Sequence, residues 1–220
     1  MYSINQPHRD NRDDNLHDTL KNTKKKLSLY KALQLGYLRL DHDQQAYRLK
    51  KYGYRLDRDL SNNEHMVAYN PTLNKTLFVT NGSETNLVKS PYQFAKDWTH
   101  NILRIGTGSI KPSIRYKQEN AAYQKAIDKY KAPVVLVGHS QGGSHVARLA
   151  KGNHQAYTLD PALINQKPRS NVHNYRTQGD LVSLGANDVT TMQNPNQSWL
   201  KVPVMQPHDI ANFKTAPIFI

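Results

Sequence analysis

Val134-Val135-Leu136-Val137-Gly138-His139-Ser140-Gln141-Gly142-Gly143 decides how the rest of the chain is read. Four apolar or β-branched residues run directly into a G-x-S-x-G sequence, the pattern of a strand that turns sharply into a helix with a serine at its apex. The physical demand is steric. Such a turn forces the serine backbone into a sparsely populated conformation, and the flanking Gly138 and Gly142 leave room for strand and helix to pack closely. Gln141 then opens the helix, and its backbone N–H points to where an oxyanion forms during acyl transfer.

The flanks agree with this geometry. Pro133 ends a preceding helix, the apolar run suits a strand buried on both faces, and Val146, Leu149 and Ala150 recur at helical spacing after the motif. Tyr116 to Lys131 reads as the helix leading into the strand, with Tyr123, Ile127 and Tyr130 on one face.

Upstream, His65-Met66-Val67-Ala68-Tyr69 and Thr76-Leu77-Phe78-Val79-Thr80 read as a hairpin joined by the turn formers Asn70 to Lys75. The second strand ends in Asn81-Gly82-Ser83, where Ser83 can supply a backbone N–H and a hydroxyl as the second oxyanion donor. Residues 84–96 mix polar positions with Leu87, Val88, Tyr92 and Phe94, a pattern shared by an apolar lid and an ordinary surface loop. Downstream, Ala156–Leu159 and Val172–Arg176 read as strands that end in Asp160-Pro161-Ala162 and Gly179-Asp180-Leu181-Val182. Each delivers a carboxylate to the carboxyl edge of the sheet, where ligand chemistry gathers in open α/β folds. Residues 184–207 read as a loop rich in Asn, Gln and Pro, and His208 follows it.

The alternation of strands and helices predicts an α/β class with a mostly parallel central sheet. A polar basic tail and helical extension is expected over 1–60, and the catalytic-size domain over 61–220. In the extension, Leu20, Leu27, Tyr30, Leu33, Tyr37 and Leu38 recur near helical spacing, and Asp41 with Gln44 caps a second helix that Gly53 closes. Asp41-His42-Asp43 lacks the i, i+4 spacing of helical metal ligands, so it reads as a cap, and no metal or cofactor is expected.

Other properties narrow the function classes. The 220 residues contain no cysteine, which excludes a disulfide framework and thiol catalysis. Residues 1–18 lack the apolar core of a cleavable signal peptide, and nowhere do 18 apolar residues run together, so a soluble, cytoplasmic or particle-associated protein is expected. The net charge of +13 divides as +5 over residues 1–60 and +8 over the remainder. Such a field favours an anionic membrane surface, while nucleic acid is not expected because charge alone, without a recognition motif, would support it.

Taken with its neighbours, the serine motif resembles the class 3 lipase family of α/β-hydrolases over roughly residues 60–215. Asn81-Gly82-Ser83 matches the family's Arg-Gly-Thr/Ser after an apolar strand, Asp97-Trp98 follows it, and Gly138-His139-Ser140-Gln141-Gly142-Gly143 matches the elbow. Asn81 and Gln141 stand where the family has Arg and usually Leu, and His100-Asn101 where a second aspartate often follows Asp97-Trp98. The resemblance implies a Ser140, Asp180, His208 triad with an oxyanion hole at Gln141 and Ser83. Leu159-Asp160-Pro161-Ala162 resembles the acidic segment of pancreatic-type lipases and makes Asp160 the alternative acid. Of the other histidines, His139 is expected to pack or hydrogen-bond, and His173 to be a satisfied core residue.

The expected activity is therefore hydrolysis of carboxylic esters by a lipase or phospholipase acting on lipid acyl esters. The alternative is a noncatalytic structural or binding protein, such as a virus-particle component, that retains the fold and docks on a protein partner through its N-terminal segment.

Overall fold

The computed structural model describes residues 25–39, 41–82, 113–162, 167–180, 182–193, 209–214 and 218–220. In chain order these form helices α1 (Leu29–Gly36) and α2 (His42–Lys50), strands β1 (Arg55–Asp57), β2 (His65–Asn70) and β3 (Lys75–Thr80), and helix α3 (Ile114–Tyr130). Strand β4 (Val134–His139), helix α4 (Ser140–Leu149), strands β5 (Gln155–Leu159), β6 (Val172–Thr177) and β7 (Val189–Met192) and a 3-10 turn at Ile210–Phe213 follow. The seven strands form one sheet in sequential order, antiparallel from β1 to β3 and parallel from β3 to β7.

Strand side chains alternate between two cores. Met66, Ala68, Leu77, Val79, Val135, Val137 and Leu159 face α1 and α2, whereas Val67, Phe78, Val134, Leu136, Ala156 and Val172 face α3 and α4. Burial on both sides explains why Leu77–Val79 and Val134–Val137 are apolar at consecutive positions. The two N-terminal helices are thus a layer of the fold: Leu27, Leu29, Leu33 and Leu49 are essentially inaccessible and share one core with the sheet. At the far end of the chain, Ile218 accepts from Leu29 N–H at 3.0 Å and Ile220 donates to Leu27 at 2.9 Å, while both side chains pack on that same core.

The caps explain the element boundaries. Asp41 Oδ1 accepts from Gln44 N–H at 3.0 Å, as its position before α2 predicts, and Gly53 closes that end with φ +76. Ser113 caps α3 by accepting from Tyr116 N–H at 3.0 Å, and Lys131 ends it in the left-handed conformation, two residues before Pro133. Lys129 Nζ and Tyr130 Oη both lie 2.7 Å from the buried Asp57 carboxylate, pinning the edge strand to the end of α3.

Two strands depart from the sequence reading. Val189–Met192 lies inside the stretch read as a loop yet pairs in parallel with β6, because the Val-Thr-Thr core has strand propensity that the surrounding Asn, Gln and Pro conceal. The three-residue β1 was not foreseen; it gains its strand geometry from pairing with β2. Among the described residues no helix is long and apolar enough to cross a membrane.

Candidate active site

Ser140 sits where β4 ends and α4 begins, with φ +55. For a residue with a Cβ this conformation costs on the order of 1–2 kcal/mol, so the surrounding structure must impose it. The neighbouring glycines show how. A methyl on Gly138 would come within 2.6 Å of the Gly142 carbonyl carbon and 2.7 Å of Gly143 N. On Gly142 it would fall within 2.5 Å of the Thr80 carbonyl oxygen, so the start of α4 lies directly on the end of β3. The segment leaving β5 braces the same turn, since Ala162 N–H donates to Ser140 O at 3.0 Å.

The end of β3 closes against the serine. A Cβ placed on Gly82 would lie 3.2 Å from Ser140 Cβ and 2.8 Å from the Tyr37 hydroxyl. Gly82 N–H donates to that hydroxyl at 2.8 Å, and the hydroxyl in turn lies 2.8 Å from His139 Nδ1. Burial raises the Tyr37 pKa above its ordinary value, so the phenol keeps a proton to share with His139 at neutral pH. His139 is accordingly a hydrogen-bonded packing residue beside the serine.

Gln141 occupies the first turn of α4, where backbone N–H groups look outward along the helix axis. Its side-chain Oε1 accepts from Arg115 Nη1 at 3.2 Å. On the same helix, His145 Nδ1 lies 2.6 Å from Glu119 Oε2, and neither side chain is appreciably exposed.

Both carboxylates lie buried beyond the carboxyl ends of their strands. Asp180 accepts from Ser183 N–H at 2.9 Å, from Val182 N–H at 3.1 Å and from the Ser183 hydroxyl. Asp160, itself in the left-handed region at φ +44, accepts from Thr177 N–H at 2.6 Å and Thr177 Oγ1 at 3.0 Å. Desolvation first, and then the nearby charge of Asp180, push the Asp160 carboxyl up to about 8. Three donors hold the Asp180 carboxylate and two hold Asp160, whose burial pushes it toward the neutral form.

The structure therefore brings Ser140, Gln141 and the end of β3 together, and places Asp160 and Asp180 on the same sheet edge. Ser83, His208 and the segment 84–96 lie outside the described residues. His173 is half-buried rather than a core residue; its Nε2 lies 3.0 Å from Gln155 Oε1 and its ring stacks on Tyr157. Sequence reasoning missed Tyr37, Arg115 and Glu119. Only the i, i+4 spacing of Arg115 and Glu119 was visible, and that spacing is equally common on solvated helix faces. Among the described residues there is no group of three or more His, Asp or Glu side chains able to hold a metal ion.

A mostly parallel sheet with a strand, strained serine turn and helix at its centre defines the α/β-hydrolase fold. No protein-family model and no curated protein matches the sequence. Among solved structures, the Lip2 lipase from Yarrowia lipolytica is similar over 84% of this chain and 80% of its own, at 12% identity and a TM-score of 0.43. A triacylglycerol lipase from Penicillium expansum is similar over 60% of each chain, at 16% identity and a TM-score of 0.32.

Proposed function

We propose that the protein is a serine hydrolase of the class 3 lipase type that cleaves the acyl esters of lipids. The observation that carries this is the positive φ of Ser140 between glycines that admit no side chain, with Gly82 against it. Such strain is retained where the geometry is used, because an ordinary strand-to-helix turn has no need of it.

In this reading His208 removes the Ser140 proton as Oγ attacks the ester carbonyl carbon. The resulting oxyanion is held by the Gln141 N–H, with Ser83 as the second donor. Collapse expels the alcohol, which takes its proton from His208 and leaves an acyl-serine. Water then attacks the acyl carbon with His208 again as base, releasing the acid and restoring Ser140. Asp180 orients the imidazole and stabilises its charged form. Asp160 is the alternative for that role, disfavoured because desolvation and the nearby Asp180 push its carboxyl toward the neutral form, which is a poorer partner for an imidazolium. The net charge of +13 draws the enzyme to anionic lipid surfaces.

The test is covalent labelling of the purified full-length protein with a fluorophosphonate, with the adduct located by mass spectrometry and Ser140→Ala and His208→Ala alongside. Labelling at Ser140 that depends on His208 is expected. A folded protein that remains unlabelled in mild detergent and leaves short-chain esters intact would overturn the enzymatic reading in favour of a noncatalytic one.

A further inference from the structure

Arg115, on the first turn of α3, has a side chain only 14% exposed, and its guanidinium bonds the backbone at the end of β3 and the side chain of Gln141, the residue after Ser140. Nη2 donates to the Asn81 carbonyl, and Nη1 reaches the Gly82 carbonyl at 3.5 Å and Gln141 Oε1 at 3.2 Å. Nε donates to Glu119 Oε1 at 2.7 Å, and Glu64 Oε2 stands 3.8 Å from the same nitrogen. The other oxygen of Glu119, a side chain with no exposure, lies 2.6 Å from His145 Nδ1 on α4. One cation thus ties the end of β3 to the first turn of α4, and its counter-ion ties α3 to the middle of α4.

A buried ion pair is a weak source of stability, since desolvation offsets much of its Coulomb energy and apolar side chains of similar volume often replace it without loss. Its position is more informative. The fork geometry of a guanidinium holds several acceptors at fixed angles, which a lysine cannot do. The acceptors here belong to the residues on either side of the oxyanion position. On the hydrolase reading of Ser140, we infer that Arg115 is the positioning residue of the oxyanion site: it sets the distance between the Gln141 N–H and the chain leaving β3 at Gly82. Glu119 aims the guanidinium. Arg115 acts through the Asn81 and Gly82 carbonyls and the Gln141 side chain and does not touch the reacting atoms, so it governs the rate of tetrahedral adduct formation more than substrate affinity.

Two measurements on the full-length protein test this: the rate of Ser140 modification by a fluorophosphonate, whose P=O enters the oxyanion position, and kcat and KM for p-nitrophenyl butyrate. Arg115→Ala is expected to lower the modification rate and kcat by about 10- to 100-fold, as small misplacements of catalytic groups do, with KM within about twofold. Guanidinium at low millimolar concentration should restore at least about fivefold of the loss, and methylammonium should not, because only the former has the planar fork. Arg115→Lys, which keeps the charge, and Glu119→Gln, which keeps the shape, should show intermediate losses, and they serve if the alanine variant does not fold. Wild-type labelling with unchanged rates in the variants would overturn the role of Arg115 alone. So would a loss carried by KM, or one that guanidinium does not relieve. An unlabelled wild-type protein would overturn the hydrolase reading and this role with it.

Discussion

The hydroxyl of Tyr37, on the turn that follows α1, lies 2.8 Å from Nδ1 of His139, the residue immediately before Ser140. It also accepts the Gly82 N–H at 2.8 Å, so a side chain from the N-terminal layer joins the two strand ends that form the site. Contact between the first described helix and the centre of the sheet makes the N-terminal region part of the site's construction.

Tyr37→Phe removes that junction while preserving the ring. The buried Gly82 N–H then loses its acceptor, at a cost of about 1–3 kcal/mol. A lower unfolding midpoint in urea is expected, together with a roughly tenfold slower modification of Ser140 by a fluorophosphonate, since the β3 end is no longer held. A variant as stable and as reactive as the wild type would show that the hydrogen bonds are incidental.

The N-terminal layer should also be needed for folding. Leu33 is wholly inaccessible between α1 and the sheet, and Leu33→Ala should destabilise the protein by about 2–5 kcal/mol by leaving a cavity. Removal of residues 1–57 would expose the face carrying Leu77, Val79, Val135 and Val137 and give an aggregating or unfolded product. A soluble, cooperatively unfolding fragment starting at residue 58, assayed by circular dichroism and sedimentation, would contradict the packing described above.

Gly142→Ala tests the steric basis of the turn. The added methyl would run into backbone carbonyl groups of Thr80 and Asn81, which cannot rotate away as a side-chain tip can. Overpacking of this kind costs about 1–3 kcal/mol, and relief requires the start of α4 to move off β3. The expected result is at least a 100-fold loss of Ser140 labelling in a protein that still folds. Normal labelling would mean that the close approach is not needed by the site.

The serine turn was legible in the sequence because its sterics demand glycine at 138 and 142, and the apolar run before it and the helical spacing after it set it apart from a chance G-x-S-x-G. The central strands were legible for a related reason, since burial on both faces leaves Val134 to Val137 with no polar position. The N-terminal helices were visible as periodic leucines, but nothing in Leu27 to Leu49 says which face of which sheet they cover; that is a property of the packed chain. Strand β7 was hidden because a short edge strand draws its hydrogen bonds from its neighbour, and Val189–Met192 stands among turn-forming residues. Arg115 and Glu119 resembled a solvated helix pair. Their burial follows from the orientation of α3 against α4, which residue spacing alone does not encode.

Asp160 and Asp180 should respond differently to amide substitution. If Asp180 orients the base, Asp180→Asn should lower kcat by about 10³–10⁴-fold, whereas Asp160→Asn should stay within about tenfold of the wild type. The stability of the two proteins adds an independent readout. The Asp160 carboxyl is raised from an ordinary 3.8 to about 8, so between those values the native state holds a proton that the unfolded chain has released. Native stability therefore falls as pH climbs through that window and levels off above it. In Asp160→Asn the group no longer titrates, and its amide can still accept from Thr177 N–H while donating to Thr177 Oγ1. Urea unfolding should show the variant gaining about 1 kcal/mol or more on the wild type between pH 5 and pH 8. Parallel pH curves for the two proteins would show that Asp160 is ionised in the native state. Coupled with an equal loss of kcat in both amide variants, they would return Asp160 to contention as the triad acid.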